Sequence, residues 1–289
     1  MMHMATPLSP YDLFLKIIEP SPDAVAAYIQ EQRNEGVVVD ESAAKKTLRL
    51  ERLMITSEEE LQKLPPETRQ LYILSEDIRS AVPIQECGEP LVDLTEYLTK
   101  HHSSIRLSVG ATYGARSIMA YRLRTQAAER LFRAEAYLRK ETHDRLTLQL
   151  TDAFRPLALQ QQYFLTIWKH LAFQKVPEAE IYKRVTALTA DPNRCPPHST
   201  GGAVDLTLVE TKTGREVDMG TRIDDVANEH LYLWHPDISS EARASRELLC
   251  AAMISAGFAE LSREWAHYSY GDQEWAIRTG QKHAIYNVV

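Results

Sequence analysis

Residues 198–209 read His-Ser-Thr-Gly-Gly-Ala-Val-Asp-Leu-Thr-Leu-Val. From Ala203 onward, Val204, Leu206 and Leu208 alternate with Asp205 and Thr207, the period of a strand with one buried face. The two glycines ahead of it permit a tight turn, so His198 can fold back beside Asp205 and both can face one ion. Working outward, Arg145–Leu150 alternates in the same way through Leu146, Leu148 and Leu150. Thr125–Lys140 carries Ala128, Leu131, Phe132, Ala136 and Leu138 at helical spacing. Pro156 opens a further helix striped by Tyr163, Phe164, Ile167, Trp168 and Leu171. A helix over Ser245–Ala256 stops at Gly257, and His283–Val289 reads as a closing strand. Strands and helices mixed without βαβ regularity predict an α+β domain, with a mainly antiparallel central sheet and flanking helices.

The first eighty residues have a different texture. Tyr11–Glu19 and Pro22–Asn34 show apolar residues at helical spacing, and Ser57 followed by Glu60 is a capping-box pattern opening a helix over Ser57–Leu64. This stretch lacks a cluster of residue types that chemistry would need. We read residues 1–80 as a helical N-terminal extension, a structural element or a face for a protein partner or self-association, ahead of a catalytic unit over 81–289.

The whole chain has 289 residues, 44% of them hydrophobic, and 33 Lys plus Arg against 40 Asp plus Glu, for a net charge of -7. An acidic balance without a basic run disfavours nucleic acid as a partner and leaves small polar or zwitterionic ligands open. No stretch approaches the roughly 20 apolar residues of a membrane span, and Met1–Pro10 lacks a secretory pattern, so a cytoplasmic location is expected. Cys87, Cys195 and Cys250 are odd in number and far apart, which fits reduced thiols.

Three places concentrate reactive residues: His198 with Asp205, Glu264-Trp-Ala-His267, and Asp152-Ala-Phe-Arg155-Pro. Two His and one Asp make a three-ligand set that suits zinc and leaves a position for water. Such an ion activates water and polarises a carbonyl, chemistry that hydrolyses an amide without a covalent intermediate. Glu264 is placed to carry the proton, and Arg155 to oppose the developing oxyanion. Cys195, three before His198, offers a rival ligand pair, disfavoured by the stiff Pro196-Pro197 between them. The other histidines show no partner pattern.

With these residues in hand, the chain resembles the D-alanyl-D-alanine dipeptidase family of zinc peptidases, related to D-Ala-D-Ala carboxypeptidases. The resemblance rests on the segments Asp152–Pro156, His198–Leu208, Asp218–Asp224, Ser255–Phe258 and Glu264–Tyr268, in family order over about two thirds of the chain. It implies His198, Asp205 and His267 as ligands of one zinc ion, Glu264 as base and Arg155 as the arginine at the tetrahedral intermediate. It also implies Asp224 as partner of a substrate ammonium, with Ser199 as a second substrate-binding candidate. The implied substrate is a small zwitterionic D-dipeptide. Ala266, where the family carries a second Trp, and Pro196, where it often has a small polar residue, depart from the pattern and bear on selectivity. Two other readings stay open: a carboxypeptidase or endopeptidase on longer cell-wall peptides, and a non-catalytic binding protein on a peptidase fold.

Overall fold

Ser9 and Ser21 each accept the backbone N–H three residues on, and each precedes a proline whose fixed φ suits a first helical turn. These caps start α1 (Pro10–Ile18) and α2 (Pro22–Asn34), and Asp40 caps α3 (Glu41–Leu53) in the same way. The computed structural model describes residues 9–108, 121–186, 188–223, 225 and 229–289. β1 (Met54–Ile55) follows, then α4 (Glu58–Lys63) with the expected reciprocal box between Ser57 and Glu60. After α5 (Pro66–Arg69), β2 (Ile73–Leu74) pairs in parallel with β1, and α6 (Glu76–Ala81) ends the segment.

The apolar face of α1 is covered by the chain itself. Tyr11 meets Trp234 edge-on with centroids 5.5 Å apart, Phe14 meets Tyr232 at 6.3 Å, and the Tyr11 hydroxyl donates to the Arg243 carbonyl at 3.3 Å. Tyr11, Phe14 and Ile18 are all buried, each contributing on the order of 2 kcal/mol.

β3 (Leu91–Asp93) leads into α7 (Leu94–Lys100) and β4 (Arg106–Leu107). β5 (Arg122–Arg124), antiparallel to β3, runs into α8 (Thr125–Thr142) and β6 (Leu146–Asp152). Next come α9 (Leu157–Phe173), α10 (Glu178–Thr186), the single turn α11 (Pro197–Thr200) and β7 (Ala203–Glu210). α12 (Ser240–Ser255), β8 (Ala259–Leu261), β9 (Glu264–Ser269) and α13 (Gln273–Arg278) complete the order. The main sheet runs β4-β6-β7-β9-β8.

That sheet is mixed: β4 joins β6 in parallel, while the β6–β7, β7–β9 and β8–β9 pairs are antiparallel. One face packs on α8, whose Ala127, Ala128, Leu131, Ala134 and Leu138 are at most 1% exposed, and on Leu249, Ala252 and Met253 of α12. The stripe of α9 packs mainly on α10, where Phe164, Ile181 and Val185 make a separate small cluster.

Two boundaries differ from expectation. α12 starts at Ser240 because Ser239 accepts the Ala242 N–H at 3.0 Å, though it ends as expected before Gly257, whose φ is +93°. Residues 283–289 form a strap rather than a strand. Their amides and carbonyls go to separate partners: Ala284 N–H to Pro83, Ile285 and Tyr286 N–H to Gly271, and Val289 N–H to Ser199. No helix among the described residues is long and apolar enough to cross a membrane.

Candidate active site

Asp205 lies in β7 directly opposite His267 of β9, with Oδ1 to Nδ1 at 3.0 Å. His198 arrives from α11, which ends at Gly201 with φ +76°, a left-handed position that glycine adopts without strain. The turn brings His198 Nε2 to 3.4 Å from the same Asp205 oxygen. Gly202 is required by space, because a Cβ there would stand 2.1 Å from the Tyr270 carbonyl oxygen. Ligand atoms of His198, Asp205 and His267 all lie within 4.8 Å of one another.

The outward nitrogens of both rings are held. His198 Nδ1 donates to the Ala153 carbonyl at 2.7 Å, which leaves the Nε2 lone pair facing Asp205. His267 Nε2 lies 3.1 Å from the Ser269 hydroxyl, an acceptor for its proton when Nδ1 offers a lone pair. Burial pushes the His198 pKa down, but the adjacent Asp205 more than offsets this and holds it above the ordinary value. Burial likewise opposes ionisation of Asp205, yet His198 and then His267 keep its carboxyl well below the usual range. Two imidazole nitrogens and a carboxylate oxygen, each ring braced from behind, form a donor set that fits zinc.

This cluster opens into a cleft of about 720 Å³, counting its solvent-facing part, lined also by Arg155, Gln160, Glu264, Arg263 and Pro196. Glu264 and His267 are three apart on one strand, and strict alternation would send them to opposite faces. The register irregularity between Glu260 and Leu261 in the β8–β9 pair reconciles them. Glu264 Oε1 accepts from Arg263 Nη2 at 3.4 Å. Arg155 follows the end of β6, where Nη2 pairs with Asp152, Nη1 donates to Gln160 at 2.8 Å, and the guanidinium lies over the Tyr163 ring at 5.4 Å. Gln160 is itself fixed by donating to Thr189 Oγ1 at 2.9 Å and the Ala190 carbonyl at 2.6 Å.

The remaining candidates fall elsewhere. Ser199 is fully buried, is not among the cleft-lining residues, and donates its hydroxyl to the Arg155 carbonyl at 2.8 Å. Asp224 lies outside the described residues. Ala266 is buried and does not line the cleft, whereas Pro196 does. Cys195 is not part of the His198 cluster; its thiol faces Asn287 Oδ1 at 3.7 Å, and burial pushes its pKa up to about 11.

A second group, His230, His235 and Asp237, also converges within 4.8 Å, although the sequence showed no pattern for these histidines. There, His235 Nδ1 accepts the Asp237 amide at 3.2 Å, so the ring's lone pair is already used.

Sequence reasoning missed Ser269, Gln160 and two further lining residues, Arg79 and Glu274. Only Ser269 had a local signal, lying two after His267 and hence on the same face of the strand. Arg79 belongs to the segment read as a helical extension, and α6 contributes it to the cleft wall.

A family model described as D-ala-D-ala dipeptidase, a peptidase family, matches residues 110–288. The chain is 35% identical over 227 residues to the D-alanyl-D-alanine dipeptidase of Synechocystis sp., covering 70% of this chain and 90% of that one. It is 34% identical to the Escherichia coli K12 enzyme of the same name, over 43% of this chain and 54% of that one. The enzyme of that name from Enterococcus faecium is 37% identical over 27% of this chain and 38% of its own. With a match spanning more than half its length and a relative covered almost throughout, this chain belongs to the D-Ala-D-Ala dipeptidase family of metallopeptidases.

Proposed function

We propose that the chain hydrolyses the peptide bond of D-alanyl-D-alanine, or of a similar D-configured dipeptide, using one zinc ion held by His198 Nε2, Asp205 and His267 Nδ1. The observation that carries this reading is the convergence of those three ligand atoms on the cleft that also contains Glu264 and Arg155. Zinc in such a set lowers the pKa of water towards neutrality and polarises a carbonyl.

The chain's own groups do the rest. The Ala153 carbonyl and Ser269 hydroxyl hold the ligand rings in the tautomers that binding needs. The Glu264 carboxylate takes the proton of the attacking water and delivers it to the leaving amine. Arg155, oriented beforehand by Asp152 and Gln160, opposes the charge that develops on the carbonyl oxygen. Asp224 is the proposed partner of the substrate ammonium. Ser199 serves the site indirectly, by fixing the Arg155 backbone. The catalytic unit is assigned to 81–289, with 1–80 as a helical extension whose last helix borders the cleft.

The test is a panel of D,D, L,D, D,L and L,L dipeptides, plus a pentapeptide ending in D-Ala-D-Ala, assayed with zinc and with a chelator. Cleavage of D,D-dipeptides that chelation abolishes is the expected result. A zinc-loaded protein that cleaves none of the dipeptides overturns the proposal, and faster cleavage of the pentapeptide favours the carboxypeptidase reading.

A further inference from the structure

A dipeptide brings both an ammonium and a carboxylate to the cleft, and no group named so far receives the carboxylate. Three guanidiniums line the wall: Arg79, Arg155 and Arg263. Arg79 pairs with Glu76 and lies 3.7 Å from Glu274, a carboxylate that Arg278 also holds at 2.6 Å. Arg155 pairs with Asp152 and faces the reacting carbonyl in the proposed reaction. Asp272 is 1% exposed and does not line the cleft. Arg263 remains, and its one carboxylate partner among the described residues is Glu264, at 3.4 Å. Charge-assisted bonds of this kind run at about 2.7–2.9 Å, so the contact is loose. The Arg263 side chain is 21% exposed, within reach of a ligand in the cleft.

Arg263 is also held in place. It occupies the turn between β8 and β9, where its neighbour Ser262 accepts the Leu233 N–H at 2.9 Å and donates its hydroxyl to the Gln70 carbonyl. Nη1 donates to the Thr186 carbonyl at 3.2 Å, at the end of α10. With the Glu264 contact, that engages two of the five N–H groups of the guanidinium, and the fork keeps donors for a carboxylate.

Covalent geometry sets where the carboxylate falls. Glu264 delivers its proton to the leaving nitrogen, and in a dipeptide that nitrogen is bonded to the α-carbon that bears the carboxylate. Ordinary bond lengths put the nitrogen and a carboxylate oxygen of one amino acid roughly 3 Å apart. Glu264 Oε1 and Arg263 Nη2, at 3.4 Å, present a proton carrier and a cation at about that spacing.

We propose that Arg263 binds the C-terminal carboxylate of the substrate, so that the cleft takes peptides whose free carboxylate lies one residue beyond the scissile bond. This rests on the dipeptidase reading and narrows its substrate class. A bond inside a longer chain, which continues where Arg263 needs an anion, is a poor substrate. Before substrate arrives Glu264 partners Nη2, and the incoming carboxylate takes a stronger two-point hold on the fork.

The experiment measures kcat/KM of the zinc-loaded full chain for D-Ala-D-Ala and for its C-terminal amide, in the parent, Arg263→Gln and Arg263→Lys. Zinc content and melting temperature check folding. The parent is expected to favour the free acid by about 100-fold, Arg263→Lys by about tenfold because an ammonium keeps the charge without the fork, and Arg263→Gln not at all. A loosened fold would slow both substrates alike and leave the ratio unmoved. Equal values for acid and amide in the parent, or a parent-like ratio in folded Arg263→Gln, overturns the subsite; if Arg263→Gln does not fold, a parent-like ratio in Arg263→Lys does so. Should the parent cleave neither compound, the dipeptidase reading fails, and calorimetric binding of acid and amide then decides: an acid preference that falls in the variants upholds the subsite and equal affinities sink it.

Discussion

Asp205 and His267 face each other across the β7–β9 ladder, so backbone hydrogen bonds set the spacing of two of the three proposed ligands before any ion binds. A site preset in this way predicts a protein that stays folded when stripped of metal. Zinc at about 100 times its Kd adds roughly 2.7 kcal/mol, or several degrees in Tm for a chain of this size. Calorimetry of the chelated protein should show a lower but still cooperative transition; a chain already unfolded without zinc contradicts the preset ladder.

Roles within the site separate by measurement. Ser269→Ala removes the partner of His267 Nε2 and should weaken zinc binding by about 10–100-fold in a chelator competition. Glu264→Ala should keep zinc while losing about 10²–10⁴-fold in turnover. Parent-like turnover in Glu264→Ala would refute its assignment as proton carrier.

Gln160 holds Arg155 from the start of α9. Gln160→Leu, similar in volume, removes that acceptor and also leaves Thr189 and the Ala190 carbonyl without a donor. The expected outcome is a loss of about tenfold in kcat/KM with zinc content retained, together with destabilisation of roughly 1–3 kcal/mol. Unchanged kinetics in a destabilised protein would assign Gln160 to packing alone.

Two glycines should respond differently to alanine. At Gly202 the new methyl would meet the Tyr270 carbonyl at 2.1 Å and the Tyr286 ring at 2.9 Å, and a backbone carbonyl held beside the end of β9 yields poorly, so Gly202→Ala should cost roughly 3 kcal/mol. At Gly36, φ is +79° and nothing lies within 4 Å, so Gly36→Ala meets only backbone strain of about 1 kcal/mol. Urea midpoints compare the two directly.

His235 confers an acid sensitivity. Burial first, then His230, hold its pKa down at about 4, with Asp237 opposing and Arg49 and Arg246 reinforcing. The unfolded ring titrates near about 6.5, so between these values the unfolded chain binds more protons. The contribution is therefore complete above about pH 6.5 and is lost as pH falls towards 4, on the order of 2 kcal/mol once partial solvation of the ring is allowed for. His235→Phe should show a smaller drop in urea midpoint between pH 7.5 and 4.5 than the parent; an equal drop would place the acid sensitivity elsewhere.

Much of this was legible in the chain, and the reasons are local. His198, the glycine pair and Asp205 lie within one turn and one strand, so their meeting needs only short-range geometry. The capping box at Ser57 and Glu60 marks a helix start that the structure reproduces. Placing Glu264 beside His267 was harder, since period-two alternation argues against it and only the register irregularity allows it. Residues 283–289 have a strand's alphabet, but their partners are carbonyls at Pro83, Gly271 and Ser199, scattered along the sequence. Gln160, Arg79 and Glu274 reach the cleft by tertiary packing, which leaves no trace in spacing.

Arg79 stands in the cleft wall, yet the family match begins at residue 110. The cleft wall is thus built partly from a helix that lies outside the stretch matched by the family model. Replacing that helix would alter the wall of the cleft while leaving the His198, Asp205 and His267 cluster, which comes from α11, β7 and β9, in place.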